Sequence, residues 1–284
     1  MIMRSYEWKT AVVTGAGSGI GRALAVELGR RGAKLAISDI DHGGLVDTER
    51  TLRNAGVAVK ADLLDVTKRD AVHDYAESVR GHFGTVHQIY NNAGIAFAGD
   101  VEVTTHAEFE VVMDVDFWGV VNGTKAFLPH VIASGDGHVI NVSSVFGLFA
   151  VPGQAAYNAA KFAVRGFTEA LRQEMVAAKR PVGVTCVHPG GVKTDVARHM
   201  SAADGFDTAK LADAFDRVAL TSAPSAARII LRGVAKNRPR VLVGPDAKAM
   251  DLVVRITGSR YQPVIAALSA LAPGVHQPAH NTSR

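Results

Sequence analysis

Thr14-Gly15-Ala16-Gly17-Ser18-Gly19-Ile20-Gly21 is the stretch on which the reading of the fold turns. Ahead of it, residues 10–14 form a short β-branched run; behind it, residues 21–31 carry Ala23, Leu24 and Leu28 at helical spacing before Gly32 closes the segment. The order is strand, turn, helix. Glycines at such a junction let the backbone approach a ligand closely, and the amides and dipole of the helix start favour an anion such as a pyrophosphate. A glycine-rich turn also occurs as a plain loop, so its neighbours must carry the reading.

The alternation continues outward. Residues 34–38 read as a strand, 45–54 as a helix ended by Gly56, 58–61 as a strand, 68–82 as a helix and 88–90 as a strand. A long helical stretch, 106–133, leads to a strand at 139–142, a helix at 157–177 and a strand at 182–187. Buried strands alternating with amphipathic helices predict an α/β, doubly wound, Rossmann-type domain, a parallel sheet with helices on both faces. One domain is expected over residues 1–244. Within it, residues 191–222 loosen into Ala, Asp and Gly and are read as a substrate lid, and regular structure resumes at 225–236 and 240–243. Residues 245–272 are read as a C-terminal helical extension packed on the same domain and broken near Gly258, and 273–284 as a disordered tail.

With 284 residues, 48% of them hydrophobic and 20% charged, the chain can build a large core and is too sparsely charged for disorder. The formal charge of +4 is spread along the chain, which argues against nucleic acid as the main partner. The single cysteine, Cys186, lies in the apolar run 182–187, so intrachain disulfides and cysteine zinc sites are excluded, and the histidines show no paired ligand spacing; no metal is expected. The N-terminus reaches charged Glu7 and Lys9 and then a strand, without the layout of a signal peptide, and the apolar run at 264–271 is too short to span a bilayer. The expectation is a cytoplasmic protein with no integral membrane association.

Asp39 ends the second strand, about twenty residues past the glycines, where a carboxylate can accept hydrogen bonds from adenosine ribose hydroxyls and would repel a 2′-phosphate. NAD(H) is therefore expected over NADP(H), the other reading being a solvated turn at Asp39-Ile40-Asp41. Tyr157 and Lys161 share one helix face, and an ammonium beside a phenol favours the phenolate. Phe146, Leu148 and Phe149, with the apolar content of the lid, suggest an apolar pocket and hence a hydrophobic secondary alcohol or ketone as substrate. His188 is read as a solvated loop residue with pocket lining as the other reading, and Arg228, Arg232, Lys236, Arg238 and Arg240 as a solvated face.

The glycine turn, Asn91-Asn92-Ala93-Gly94, Asn141-Val142-Ser143-Ser144, Tyr157-xxx-Lys161 and Pro189-Gly190 resemble, in order and spacing, the short-chain dehydrogenase/reductase family. The match runs from residue 8 to about 195, more loosely to about 244, and the Gly-xxx-Gly-x-Gly spacing is that family's variant of the dinucleotide turn. The resemblance implies an NAD(P)-dependent oxidoreductase that moves a hydride between a nicotinamide ring and an alcohol or ketone. It implies Tyr157 as general acid/base, Lys161 as the residue that lowers its pKa and binds the nicotinamide ribose, and Ser144, rather than Ser143, as the hydroxyl that steadies the substrate oxygen. It places Gly15, Ser18, Gly19, Ile20 and Gly21 at the cofactor's glycine turn, Asn92 along the adenosine side with Ala93 and Gly94 as further cofactor contacts, and Asp65 and Val66 around the adenine. Val192 and Thr194 would hold the nicotinamide carboxamide, with Pro189 and Gly190 as further cofactor contacts, and a homodimer or homotetramer is implied. Taken alone, Val66 and Val192 also read as core and Thr194 as a helix cap.

One position departs from the pattern. Val115-Asp116-Phe117-Trp118-Gly119 carries Asp116 where the family has an asparagine tied to a water-linked proton relay to the lysine. If only the backbone carbonyl matters there, little changes; if a side-chain amide must donate, an ionised carboxylate cannot. Asp116 is kept as a candidate site member. Two alternatives stay open: a catalytically weak nucleotide-sensing or scaffold protein of the same fold, and a lipid-associated protein whose terminal segment, with Leu252, Val253, Val254 and Ile256, touches membrane.

Overall fold

Seven parallel strands form the sheet at the centre of the protein: β1 (Thr10–Thr14), β2 (Lys34–Asp39), β3 (Val59–Leu63), β4 (Gln88–Asn91), β5 (Gly137–Val142), β6 (Val182–Pro189) and β7 (Arg240–Val243). The structure, a computed structural model, describes residues 5–194, 200–203 and 205–270. The strand order is β7-β6-β5-β4-β1-β2-β3, with Val12 of β1 level with Ala36 of β2 on one side and Ile89 of β4 on the other. The direction of winding reverses between β1 and β4, and a crevice opens outside the carboxyl ends of those two strands.

The sheet is buried on both faces, which is why its strands read as continuous apolar runs. Within β1 the side chains part at every residue: Ala11 and Val13 join one core, Val12 the other. The first core packs the sheet against α1 (Gly19–Arg30), α2 (His42–Asn54) and α8 (Ala223–Ala235) through Leu24, Leu28, Leu52, Ile230 and Leu231. The second packs it against α3 (Arg69–Phe83), α5 (Gly119–Ala133) and α6 (Ala155–Ala177) through Tyr75, Val79, Phe127, Val131 and Leu171.

Three sequence expectations need correction. The stretch 106–133 is not one α-helix: α4 (His106–Met113) passes through a π-helical turn at Asp114–Trp118 before α5 begins, and that turn swings Asp116 into the interior. The region read as a loose lid contains α7 (Thr208–Val218) and short parallel pairings of Val192–Lys193 with Thr221–Ser222 and of Ser201–Ala202 with Phe97–Ala98. The sequence of that helix has marked helical amphipathicity, which the reading of the region as loose passes over. The helix expected at 225–236 begins at Ala223, with a proline in its first turn, where a missing N–H costs nothing. After β7 come α9 (Pro245–Thr257) and α10 (Tyr261–Ala270), with Gly258 between them at φ 55°. The tail expected at 273–284 lies outside the described residues.

Phe127 is fully buried and meets the Tyr75 ring edge-on at 5.8 Å. Phe127→Ala is expected to cost about 3–5 kcal/mol, read as a lower urea midpoint with an unchanged slope.

Candidate functional site

The turn after β1 is shaped by contacts that leave no room for side chains. Gly15 and Gly19 hold φ of 64° and 52°, in the left-handed region that favours glycine. A Cβ on Gly15 would sit 2.8 Å from the Ala93 Cα, and one on Gly21 would run into the Gly15 carbonyl. Ser18 precedes α1 without capping it through its side chain, so the first amides of the helix are left for another acceptor. Asp39 closes over this turn: its Oδ2 accepts from Gly17 N at 2.7 Å and its Oδ1 from Asp41 N at 2.9 Å. Beneath it, Arg22 donates to the Gly17 carbonyl and, through Nε, to Thr48 Oγ1 at 3.0 Å, bracing the turn from the helix side.

The carboxyl end of β4 is tied to the same turn. Thr14 Oγ1 accepts from Asn92 N at 3.0 Å and Ala93 N at 3.1 Å, and Asn92 Nδ2 donates back to the Thr14 carbonyl at 3.0 Å. Neighbouring Asn91 is turned away, donating to Asn141 Oδ1 at 2.8 Å and Thr124 Oγ1 at 3.0 Å inside the core. At the mouth of β3, Asp65 Oδ1 accepts from Thr67 N and Oγ1 at 2.9 and 2.7 Å, and Asn122 Nδ2 from α5 holds the Val66 carbonyl at 3.0 Å.

At the far end of the crevice α6 presents Tyr157 and Lys161 on one face, with Lys161 Nζ 5.3 Å from the Tyr157 ring centre. The Phe146 ring meets Tyr157 edge-on at 6.2 Å. Ser144 stands close enough to the Tyr157 hydroxyl to pull its pKa down, and its Oγ accepts from Phe146 N at 3.1 Å. Ser143 is committed elsewhere, donating to the Lys161 carbonyl at 2.8 Å. Asp116 is fully buried: its Oδ1 accepts from Ile95 N at 2.8 Å and its Oδ2 stands 3.4 Å from Lys161 Nζ.

These groups titrate as a set. Burial pushes the Tyr157 phenol above its ordinary value; the Lys161 ammonium pulls it down and the Asp116 carboxylate pushes it up again. Burial disfavours the Lys161 ammonium, but Asp116 and Tyr157 outweigh it and hold that pKa above the usual lysine value. Asp116 itself is raised, chiefly by burial, against the pull of Lys161. The side chain on which the sequence left two readings open takes an N–H on one oxygen and faces the Lys161 ammonium with the other.

One cleft of about 630 Å³ runs from the glycine turn to Ser144, Tyr157 and Lys161. Gly15, Ser18, Gly19, Ile20, Asp39, Asp65 and Val66 line its first part; Asn92, Ala93, Gly94, Pro189, Gly190, Val192 and Thr194 line the rest. Of the residues singled out from sequence, Gly21 and Asp116 lie behind the wall. Phe146 and Phe149 line the cleft, whereas Leu148 is buried away from it. A more open hollow of about 730 Å³ near Arg22, Arg30 and Arg228 shares Gly19 and Thr194 with it but holds none of the groups able to move a proton at the Tyr157 end.

His188 is neither solvated nor in the cleft wall. It is a fully buried strand residue whose Nδ1 lies 2.8 Å from the Ser144 carbonyl, and burial lowers its pKa to about 4, so the ring stays neutral. Arg240 likewise leaves the expected solvated face, pairing with Glu169 at 2.7 Å and Asp251 at 3.3 Å. Among the lining residues that escaped the sequence reading, two come from α9. Asp246 at the start of α9 accepts from Gly191 N at 2.6 Å, and Met250 follows one turn later. An acid in the first turn of a helix after Gly244-Pro245 reads only as a helix start.

A family model described as short chain dehydrogenase matches residues 9–205. A curated relative, "Putative oxidoreductase SadH" of Mycobacterium tuberculosis, is 62% identical over 266 residues, 93% of this chain and 96% of the relative. Among solved structures, a short chain dehydrogenase/reductase from Burkholderia phymatum in complex with NAD superposes with a TM-score of 0.85 at 29% identity, covering 92% of this chain and 97% of that one. An alcohol dehydrogenase from the archaeon Thermococcus sibiricus complexed with 5-hydroxy-NADP superposes with a TM-score of 0.71 at 26% identity, over 84% and 95% of the two chains.

Proposed function

The chain belongs to the short-chain dehydrogenase family, and from that premise we propose that it is an NAD(H)-dependent oxidoreductase acting on hydrophobic secondary alcohols or ketones. The observation that carries this reading is the convergence of Ser144, Tyr157 and Lys161 at one end of a cleft that begins at the glycine turn.

The turn fits a pyrophosphate: positive-φ glycines, close backbone approach and uncapped helix amides are what an anion of that size needs. In this reading Asp65 and Val66 flank the adenine, Asn92 the adenosine side, and Val192 and Thr194 the nicotinamide carboxamide, with Ala93, Gly94, Pro189 and Gly190 lining the same cleft. Asp39 lines the cleft while its carboxylate braces Gly17, which puts a negative charge where a 2′-phosphate would have to sit. That favours NAD(H) over NADP(H). When bound, a nicotinamide supplies the hydride acceptor or donor.

The chain's own residues handle the proton. In oxidation the Tyr157 phenolate takes the hydroxyl proton as the carbinol C–H bond breaks and the ketone forms; in reduction the phenol returns it to the carbonyl oxygen. Lys161 favours the phenolate, and Ser144 steadies the substrate oxygen with a short, fixed hydroxyl. Neutral His188 holds the Ser144 backbone without adding charge. Phe146, Phe149 and Met250 give the substrate end an apolar lining. Val111, Trp118 and Phe162 expose apolar surface on the neighbouring α4, π-helical turn and α6, the face on which a homodimer or homotetramer would form.

Tyr157→Phe is expected to lower turnover by roughly 10²–10⁴-fold while NADH binding persists; a variant that keeps most of its activity removes the acid/base assignment. Asp116→Asn takes away a negative charge that raises the phenol pKa, so the rising limb of the alcohol-oxidation pH profile should move to lower pH. An unmoved profile means that Asp116 carries its proton throughout.

A further inference from the structure

The segment formed by α9 and α10 has two unlike sides. Its inner side belongs to the cleft: Ala247 is buried, Met250 lines the cavity, and Asp246 holds the Gly191 amide. Tyr261 stands edge-on to Phe149 at 6.1 Å, and its hydroxyl accepts from Ala150 N at 3.0 Å. The outer side is apolar. Leu252 and Ile256 lie one turn apart on α9, with Val253 beside them, and Val264 and Leu268 lie one turn apart on α10; their exposures are 58%, 74%, 42%, 60% and 59%. A lone exposed leucine needs no explanation, but aliphatic side chains collected on two consecutive helices do.

The charges on this segment are sorted by side. Its acids turn inward, Asp246 onto Gly191 and Asp251 between Arg240 and Arg255. The exposed charged residues are Lys248, Arg255 and Arg260, all cations. Lys248 precedes Leu252 by one turn, so the basic rim borders the aliphatic stripe directly. A two-fold contact with a second copy would set this patch against itself, bringing cations together with no exposed acid of the segment to meet them. An anionic lipid surface accepts both features at once: acyl chains take the aliphatic stripe, and headgroups take the cations.

We propose that the outer face of α9 and α10 docks on an anionic lipid surface, with the cover of the substrate cleft lying in the membrane interface. Because Asp246 and Met250 sit on the inner side of the same helix, docking places the cleft beside the lipid phase. Taken with the oxidoreductase reading, on which this last step rests, the substrate class is then an alcohol or ketone dissolved in lipid rather than in water.

The test is co-sedimentation of the full chain with vesicles of phosphatidylcholine alone and of phosphatidylcholine mixed with phosphatidylglycerol. The wild type is expected to bind the mixed vesicles and to bind the neutral ones far less. Ile256→Glu with Leu268→Glu should weaken binding by at least about tenfold, since two anchors become anions. Lys248→Gln with Arg260→Gln should weaken it by roughly fivefold per cation removed. Val176→Glu, on an exposed site of α6, should change nothing. Failure of the wild type to bind mixed vesicles, or binding indifferent to both pairs of substitutions, overturns the proposal. So does a fall in particle mass, seen by light scattering without vesicles, when Ile256 and Leu268 become Glu, because a second copy then covers the face. NADH binding measured on the same samples reports on the cofactor reading separately from vesicle binding.

Discussion

The close approach of the Gly15 turn to Ala93 is the constraint around which the site is arranged. With no Cβ on Gly15 or Gly21, the end of β1 can press against the end of β4, and the threonine between them bonds both chains at once. That contact sets where α1 begins and leaves its first amides facing the crevice. Asp39 and Arg22 brace the turn from above and below, both bonding Gly17. Preorganisation of this kind spares a ligand the cost of ordering the loop that binds it.

At the other end of the crevice the balance is electrostatic. A buried ammonium next to a phenol costs desolvation, and Asp116 offsets part of that cost by facing Lys161 at 3.4 Å. The same carboxylate works against the phenolate that Lys161 favours. The pair therefore trades a charged and firmly held lysine for a phenol of higher pKa, a compromise that an asparagine at this position would not make. The π-helical turn at 114–118 is the device that brings Asp116 there, since a continuous α-helix would carry the residue past Ile95 on a different azimuth.

Much of this was legible in the sequence, for identifiable reasons. Strands buried on both faces write themselves as apolar runs, so the doubly wound fold could be read directly; the Thr14–Gly21 turn and the Tyr157 and Lys161 pair show as local spacing, but their place along one cleft comes from the family resemblance. What could not be read depends on distance along the chain or on local irregularity. Asp246 meets Gly191 from 55 residues further along the chain, His188 becomes buried because β7 packs beside β6, and the π-helical turn has the same apolar pattern as the α-helices it joins. Helix α7 is a different case: its sequence is strongly amphipathic, and reading the region around it as loose passes over that signal. The departure at Asp116 was visible as an identity, but its consequence was not, because only the fold decides whether a carboxylate there meets water, an amide or an ammonium.

The central claim, that the crevice between β1 and β4 holds a nicotinamide dinucleotide with Tyr157 at its reactive end, is tested most directly by fluorescence titration of the purified chain with NADH and NADPH. The account predicts a saturable change with NADH and markedly weaker binding of NADPH, because it sets the Asp39 carboxylate against a 2′-phosphate. The absence of a saturable signal with either nucleotide would contradict it.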